Sequence, residues 1–224
     1  MITKGIKLEE GKIFRFSLTS RYAHWIHAIA YTFLFFTGML LFFDLFDFLA
    51  PVFGGFTGAQ LIHRIFAVVL VLPGIIFIVF DLKNFMGWMR ECVTWTKDDR
   101  AAIPIFLKEL FGAKVRMPPQ SYINAGQKVN SILTVFATGI IGASGLIIWF
   151  AGFFGYGLAR WAYAVHSGMT GFMVAVVIMH IYLGALNPKS KAAFPAIFTG
   201  YVDAEYVKRH HSKWYDEVTA LKRD

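Results

Sequence analysis

Cysteine occurs once in the 224 residues, at Cys92, and that scarcity excludes an intramolecular disulfide. It also excludes an iron–sulfur cluster held by this chain's own thiolates, which normally takes four. Charge is scarce too, at 16% of residues, with 14 acidic side chains against 22 Lys and Arg. No nucleic-acid motif accompanies the net charge of +8, and its distribution reads as membrane topology instead. There is no internal repeat, low-complexity tract or soluble-domain linker, and no room for a second globular domain of typical size. What is abundant is apolar: 57% of residues are hydrophobic and the mean hydropathy is +0.54. These values define a membrane protein with a few spans and modest loops.

Four apolar stretches approach the ~20 residues that a bilayer core requires. They are read at 24–43, 61–80, 129–151 and 161–186, making residues 1–224 a single membrane domain. The first is long enough to cross and has no small-residue cleavage site behind it, so no cleavable signal peptide is expected. Asp44 and Asp47, a solvated edge, lead into a short Pro/Gly-rich loop, and Pro73-Gly74 predicts a kink in the second span. Within the long polar stretch 81–128, Ile103 to Phe111 has the pattern of a short amphipathic helix. Asn187-Pro188 ends the fourth span.

Lys and Arg number five before the first span, eight in the central segment and seven in the tail 187–224, whereas the two short loops hold none and one. By the positive-inside rule, both termini and the central segment face the cytoplasm, giving a multi-pass inner-membrane protein.

Histidine then becomes informative, because an ionisable residue in a span is a functional-site hypothesis by default. His166 and His180 lie fourteen residues apart in the fourth span, ~21 Å along a helix and within ~40° of one face. His24 opens the first span near the cytoplasmic face, and His63 opens the second near the outer face. The fourth span runs inward, so His166 is shallow on the outer side and His180 on the inner. Depth therefore permits two pairs, His24 with His180 and His63 with His166. Imidazole is the usual protein ligand of haem iron, and two depth-matched pairs suit two b-type haems. A lone intramembrane histidine is commonly an interhelical hydrogen-bonder or channel liner. His27, one turn deeper than His24, is a rival ligand.

Gly38 lies fourteen residues after His24 and Gly74 eleven after His63, each returning near its histidine's face at the depth of the other haem. Gly168, Gly171 and Gly184 flank the ligands of the fourth span. Glycine is enriched at membrane helix contacts in any case. Cys92 has no assigned role, and His210 and His211 read as surface or subunit-contact residues of a polar tail.

Six segments in order carry a resemblance: Arg21-Tyr-Ala-His-Trp25, Leu61-Ile-His-Arg64, Asn124-Ala-Gly-Gln-Lys128, His166-Ser-Gly, His180-Ile-Tyr and Lys208-Arg-His-His-Ser-Lys-Trp-Tyr215. Across nearly its whole length the chain resembles the cytochrome b (gamma) membrane subunits of respiratory formate dehydrogenases. The resemblance implies an all-α, integral membrane four-helix bundle binding two b-type haems through His24, His63, His166 and His180. It implies a menaquinone or ubiquinone site on the cytoplasmic side, with Asn124 and Gly126 lining it and Gln127 nearby; Asn124 also reads as an ordinary helix N-cap.

The expected role is transfer of electrons from an iron–sulfur subunit and a catalytic dehydrogenase subunit through two haems to a quinone. Nothing in the chain resembles a molybdenum, tungsten or nickel site, so substrate oxidation is expected on a partner. The nearest alternative is the cytochrome b subunit of a membrane-bound hydrogenase or related reductase; others are a haem-free anchor and a histidine-relay transporter.

Overall fold

The computed structural model describes residues 8–9, 11–113 and 115–220. Lys4, Lys7, Lys114, Lys222 and Arg223, counted above for topology, lie outside them. In chain order the elements are β1 (Leu8–Glu9), β2 (Lys12–Phe14), α1 (Leu18–Phe42), a 3₁₀ stretch (Asp44–Phe53), α2 (Gly55–Val69) and α3 (Leu72–Phe80). There follow α4 (Leu82–Val93), α5 (Lys97–Leu110), α6 (Ala125–Trp149), α7 (Ala151–Phe154) and α8 (Tyr156–Ile181). A π turn (Tyr182–Leu186) and a 3₁₀ turn (Lys191–Ala193) precede α9 (Ala196–Thr199), β3 (Tyr201–Asp203), α10 (Ala204–His210) and α11 (Ser212–Ala220).

The chain is all-α in class and multi-pass. Four helices are long and apolar enough to cross a bilayer: Leu18–Phe42, Gly55–Phe80, Ala125–Trp149 and Tyr156–Leu186. They begin four to six residues before the starts read from hydropathy. The reason is local, because helices start at caps rather than at the first apolar residue. Ser17 accepts from the Ser20 amide at 3.1 Å ahead of α1, and Asn124 closes a capping box ahead of α6.

The chain divides into two compact units, Phe16–Met86 and the segment ending at Arg15 together with that beginning at Gly87. In the first, α1 packs on α2 and α3. Ala23, Ala30 and Thr37 are buried at seven-residue intervals, so small side chains lie along one face and the backbones approach closely. Phe33 and Phe66 stack with centroids 4.1 Å apart. The Pro73 ring cannot sit over the carbonyl four residues back, and the ladder breaks between Val69 and Leu72, where the Pro73-Gly74 pair predicts a kink.

In the second unit, α6 packs along α8. The central stretch read as a polar loop is built into the fold: α5 extends the expected amphipathic helix back to Lys97, capped by Thr96 in a box with Asp99. Lys128, counted above as a polar-loop residue, is 1% exposed, 3.0 Å from the Asp99 carboxylate and 2.9 Å from the Thr94 carbonyl. Burial pushes the Asp99 carboxyl up, but the Thr96 donors and the Lys128 ammonium together hold it below the ordinary range.

Three polar segments meet here. β2 pairs with β3, setting buried Ile13 opposite buried Val202. The Arg15 guanidinium lies 5.5 Å from the ring centres of both Tyr122 and Trp214, and Lys213 pairs with Asp98. The tail is therefore not a loose polar appendage. His211, expected at a surface, is 0% exposed, because its Nδ1–H donates to the Ser121 carbonyl at 2.7 Å and Trp214 packs against it.

Candidate functional site

The four histidines singled out by depth sit on spans in both units. His24 and His63 are half-buried on α1 and α2; on α8, His166 is half-buried and His180 exposed. His24 packs edge-on against Trp25, while His27 stacks on Tyr31 within the same helix.

His63 and His166 are held in the same way. Thr37 Oγ1 donates its one proton to the Phe33 carbonyl at 2.7 Å, so it accepts where it lies 2.8 Å from His63 Nδ1. The proton is thereby assigned to Nδ1, and Nε2 carries the lone pair. On α8, His166 Nδ1 lies 2.9 Å from the Ile141 carbonyl, which only accepts, and 3.3 Å from Ser144 Oγ. Ser144 in turn donates to the Ile140 carbonyl at 2.7 Å. Both imidazoles are fixed in the tautomer whose Nε2 binds a metal, the arrangement that orients metal-bound histidine generally.

A glycine follows each hydroxyl. A Cβ at Gly38 would lie 3.6 Å from His63 Cε1, and one at Gly145 would lie 3.1 Å from His166 Cε1, tighter than ordinary contact. Gly145 is therefore the stricter requirement. At Gly74, Gly168, Gly171 and Gly184 a Cβ meets nothing within 4 Å, so these faces are open within their units. Sequence reasoning found Gly38 but missed Thr37, Ser144 and Gly145. A hydroxyl–glycine dipeptide inside a span was the signal present, but it recurs at Thr138-Gly139, Ser167-Gly168 and Thr170-Gly171 and so does not single out these two.

The second region is a cavity at the start of α6. Asn124 and Gly126 line it with Phe106, Leu183, Asn187 and Tyr206. Leu183 and Asn187 belong to the turn after His180, where the backbone widens and the Asn187 amide bonds the Tyr182 carbonyl at 2.8 Å. Such π turns are frequent at functional sites.

The two readings of Asn124 are compatible. Its Oδ1 caps α6 by accepting from the Gln127 amide at 2.9 Å, which fixes the side-chain amide and leaves Nδ2, a donor, for anything else. Gln127 is not among the lining residues: its Oε1 takes the Asn124 amide at 3.0 Å and the Arg15 guanidinium at 3.3 Å.

Imidazoles engaged through Nδ1 on membrane-length apolar helices are side chains that could hold a b-type haem, and the donor chemistry of His63 and His166 fits that group. They define a membrane cytochrome b. Residues 15–200 match the family model of prokaryotic cytochrome b561, and the chain belongs to that family. It is similar over most of its length to curated relatives. One is the formate dehydrogenase cytochrome b556(fdo) subunit of Escherichia coli K12, 28% identical over 92% of this chain and 93% of the relative. Another is the formate dehydrogenase cytochrome b556 subunit of Haemophilus influenzae, 24% identical over 94% and 85%. A third is the nitrate-inducible formate dehydrogenase cytochrome b556(Fdn) subunit of E. coli K12, 23% identical over 92% and 91%.

Proposed function

We propose that this chain is the di-haem cytochrome b subunit of a formate dehydrogenase-type complex, passing electrons from an iron–sulfur partner subunit to a quinone. The carrying observation is the pair of locked tautomers at His63 and His166. Engaging Nδ1 holds each ring at one angle with Nε2 as the unprotonated nitrogen, which is how metal-bound histidines are oriented.

In this reading His63 and His166 hold an outer haem, and His24 and His180 an inner one. When bound, the haems supply one-electron carriers whose potentials the protein sets through ligand geometry, burial and hydrogen bonds. His180 lies one turn before the residues of α8 and its extension that reach the Asn124 cavity. A quinone carbonyl seated there accepts from Asn124 Nδ2, and Gly126 keeps the approach clear.

Both termini and the α4–α5 segment face the cytoplasm of an inner membrane. The pairing of β2 with β3, and of Asp98 with Lys213, supports a common side for these three segments. Oxidation of formate belongs to the catalytic partner, and the whole chain acts as one membrane domain.

The test uses the purified complex with its electron donor. Asn124→Asp keeps the helix cap and replaces the Nδ2 donor by an acceptor. Donor-driven haem reduction is expected to persist while quinone reduction falls at least ~10-fold, the scale of one lost hydrogen bond at a charge-developing oxygen. Unchanged quinone reduction in this variant contradicts the site.

A further inference from the structure

The motif Lys208-Arg-His-His is left without a function by electron transfer alone, and the structure places its first histidine at a boundary. His210 lines the Asn124 cavity and also a second, wider cleft of about 790 Å³. At ~30 Å³ of liquid volume per water, that cleft admits many. The cleft is bounded by Arg116, Pro118, Lys208 and Ser212, among others. Glu109, Met117, Lys189, Tyr206 and His210 are common to both spaces. These five form the wall that the cavity and the cleft share.

Quinone reduction makes this wall chemically significant. Each quinone takes two electrons, delivered from the reduced donor, and two protons, so that both C=O groups become C–OH. Hydrocarbon cannot supply protons, and the amide of Asn124 does not ionise. The titratable groups lining the cavity are Glu109, Lys189, Tyr206 and His210. Lys189 is engaged with Glu109 at 3.3 Å, and a phenol is a poor acid near neutrality. An imidazole is the side chain whose ordinary titration falls at working pH.

We propose that His210 is a catalytic proton relay to the quinone, its neutral ring taking up a proton through the water of the cleft and passing it to a carbonyl oxygen in the Asn124 cavity, once for each of the two protons, with Glu109 facing it at the cleft wall. This rests on the quinone reading above. The ring is fixed for the task by stacking on Tyr206, with centroids 4.4 Å apart and planes 23° from parallel. The charged and titratable groups around it are Glu109 from α5, Lys189 from the segment after α8, and Arg209 and His211 beside it in the chain. Burial lowers its pKa, Glu109 opposes that, and Arg209 and Lys189 add to it. The imidazolium is therefore a readier acid than a solvated one, and the neutral ring is the resting form near pH 7. His211 is not part of the relay, since it lines neither space and its Nδ1–H is committed to Ser121.

The experiment measures quinone reduction by the donor-containing complex across pH 5.5 to 8.5 in His210→Gln, Glu109→Gln and Asn124→Asp, with haem reduction by the donor recorded in each. For His210→Gln the expected result is normal haem reduction, at least ~10-fold slower quinone reduction, the lower end of general acid–base contributions, a flattened pH profile and recovery on adding imidazole. Wild-type rate and pH profile in His210→Gln overturn the relay, as does a slower rate with an unchanged profile and no recovery, which marks packing alone. If His210→Gln fails to assemble, Glu109→Gln decides: a shifted pH profile supports the relay and an unshifted one overturns it. Full quinone reduction in Asn124→Asp removes the quinone site itself. Loss there with no effect at His210 removes only the relay.

Discussion

Thr37 and His63 are joined by a 2.8 Å hydrogen bond whose direction is decided elsewhere, because Thr37 has already given its proton to the Phe33 carbonyl. Removing the hydroxyl leaves His63 free to change tautomer and ring angle. Thr37→Val preserves shape and is expected to weaken haem retention at the outer site by about 10- to 100-fold, the usual range for losing a partner of a metal-bound histidine. Ser144→Ala is expected to do less, since His166 keeps its 2.9 Å bond to the Ile141 carbonyl. Haem retention during dilution and redox titration of each variant check the order; a larger effect at Ser144 contradicts it.

Lys128 and Asp99 form an ion pair whose side chains are 2% and 3% exposed. Removing one partner of such a pair leaves an uncompensated buried charge, at a cost of ~3–5 kcal/mol. Lys128→Met is expected to lower the thermal midpoint in detergent strongly, and Lys128→Met with Asp99→Asn to recover much of the loss. Additive damage in the double variant speaks against coupling between the two.

His211 is wholly buried and its pKa is held well below the ordinary value, by burial first and by the nearby Arg15 charge second. Between that lowered value and about 6.5 the unfolded tail binds a proton that the folded tail does not, so stability rises with pH there and falls on acidification. Proteolytic release of the α10–α11 tail is expected to speed up as pH drops below about 6.5. His211→Asn retains a donor at the Nδ1 position and does not titrate. It is expected to flatten this dependence, and an identical pH curve contradicts the assignment.

Much of the architecture was legible because the bilayer imposes it. Spans of ~20 apolar residues need no tertiary knowledge, and four such helices are present. His166 and His180 draw notice in the sequence for a related reason: ionisable residues stand out in an apolar helix. Residues acting through hydrogen bonds were not. Thr37 and Ser144 look like any small span residues until the carbonyl they bond, and the histidine they accept from, are known. Lys128 reads as one more basic loop residue, and its burial depends on Asp99, which lies 29 positions earlier. The β2–β3 pairing joins two segments of three residues each across almost the whole chain, with no local pattern long enough to announce it.

The most direct measurement is the haem content of the purified chain by pyridine haemochrome, wild type beside His180→Ala. The account requires non-covalent b haem, two per wild-type chain and one in the variant, with the spectrum of the outer site retained. A colourless wild type, or a variant with undiminished haem, contradicts it.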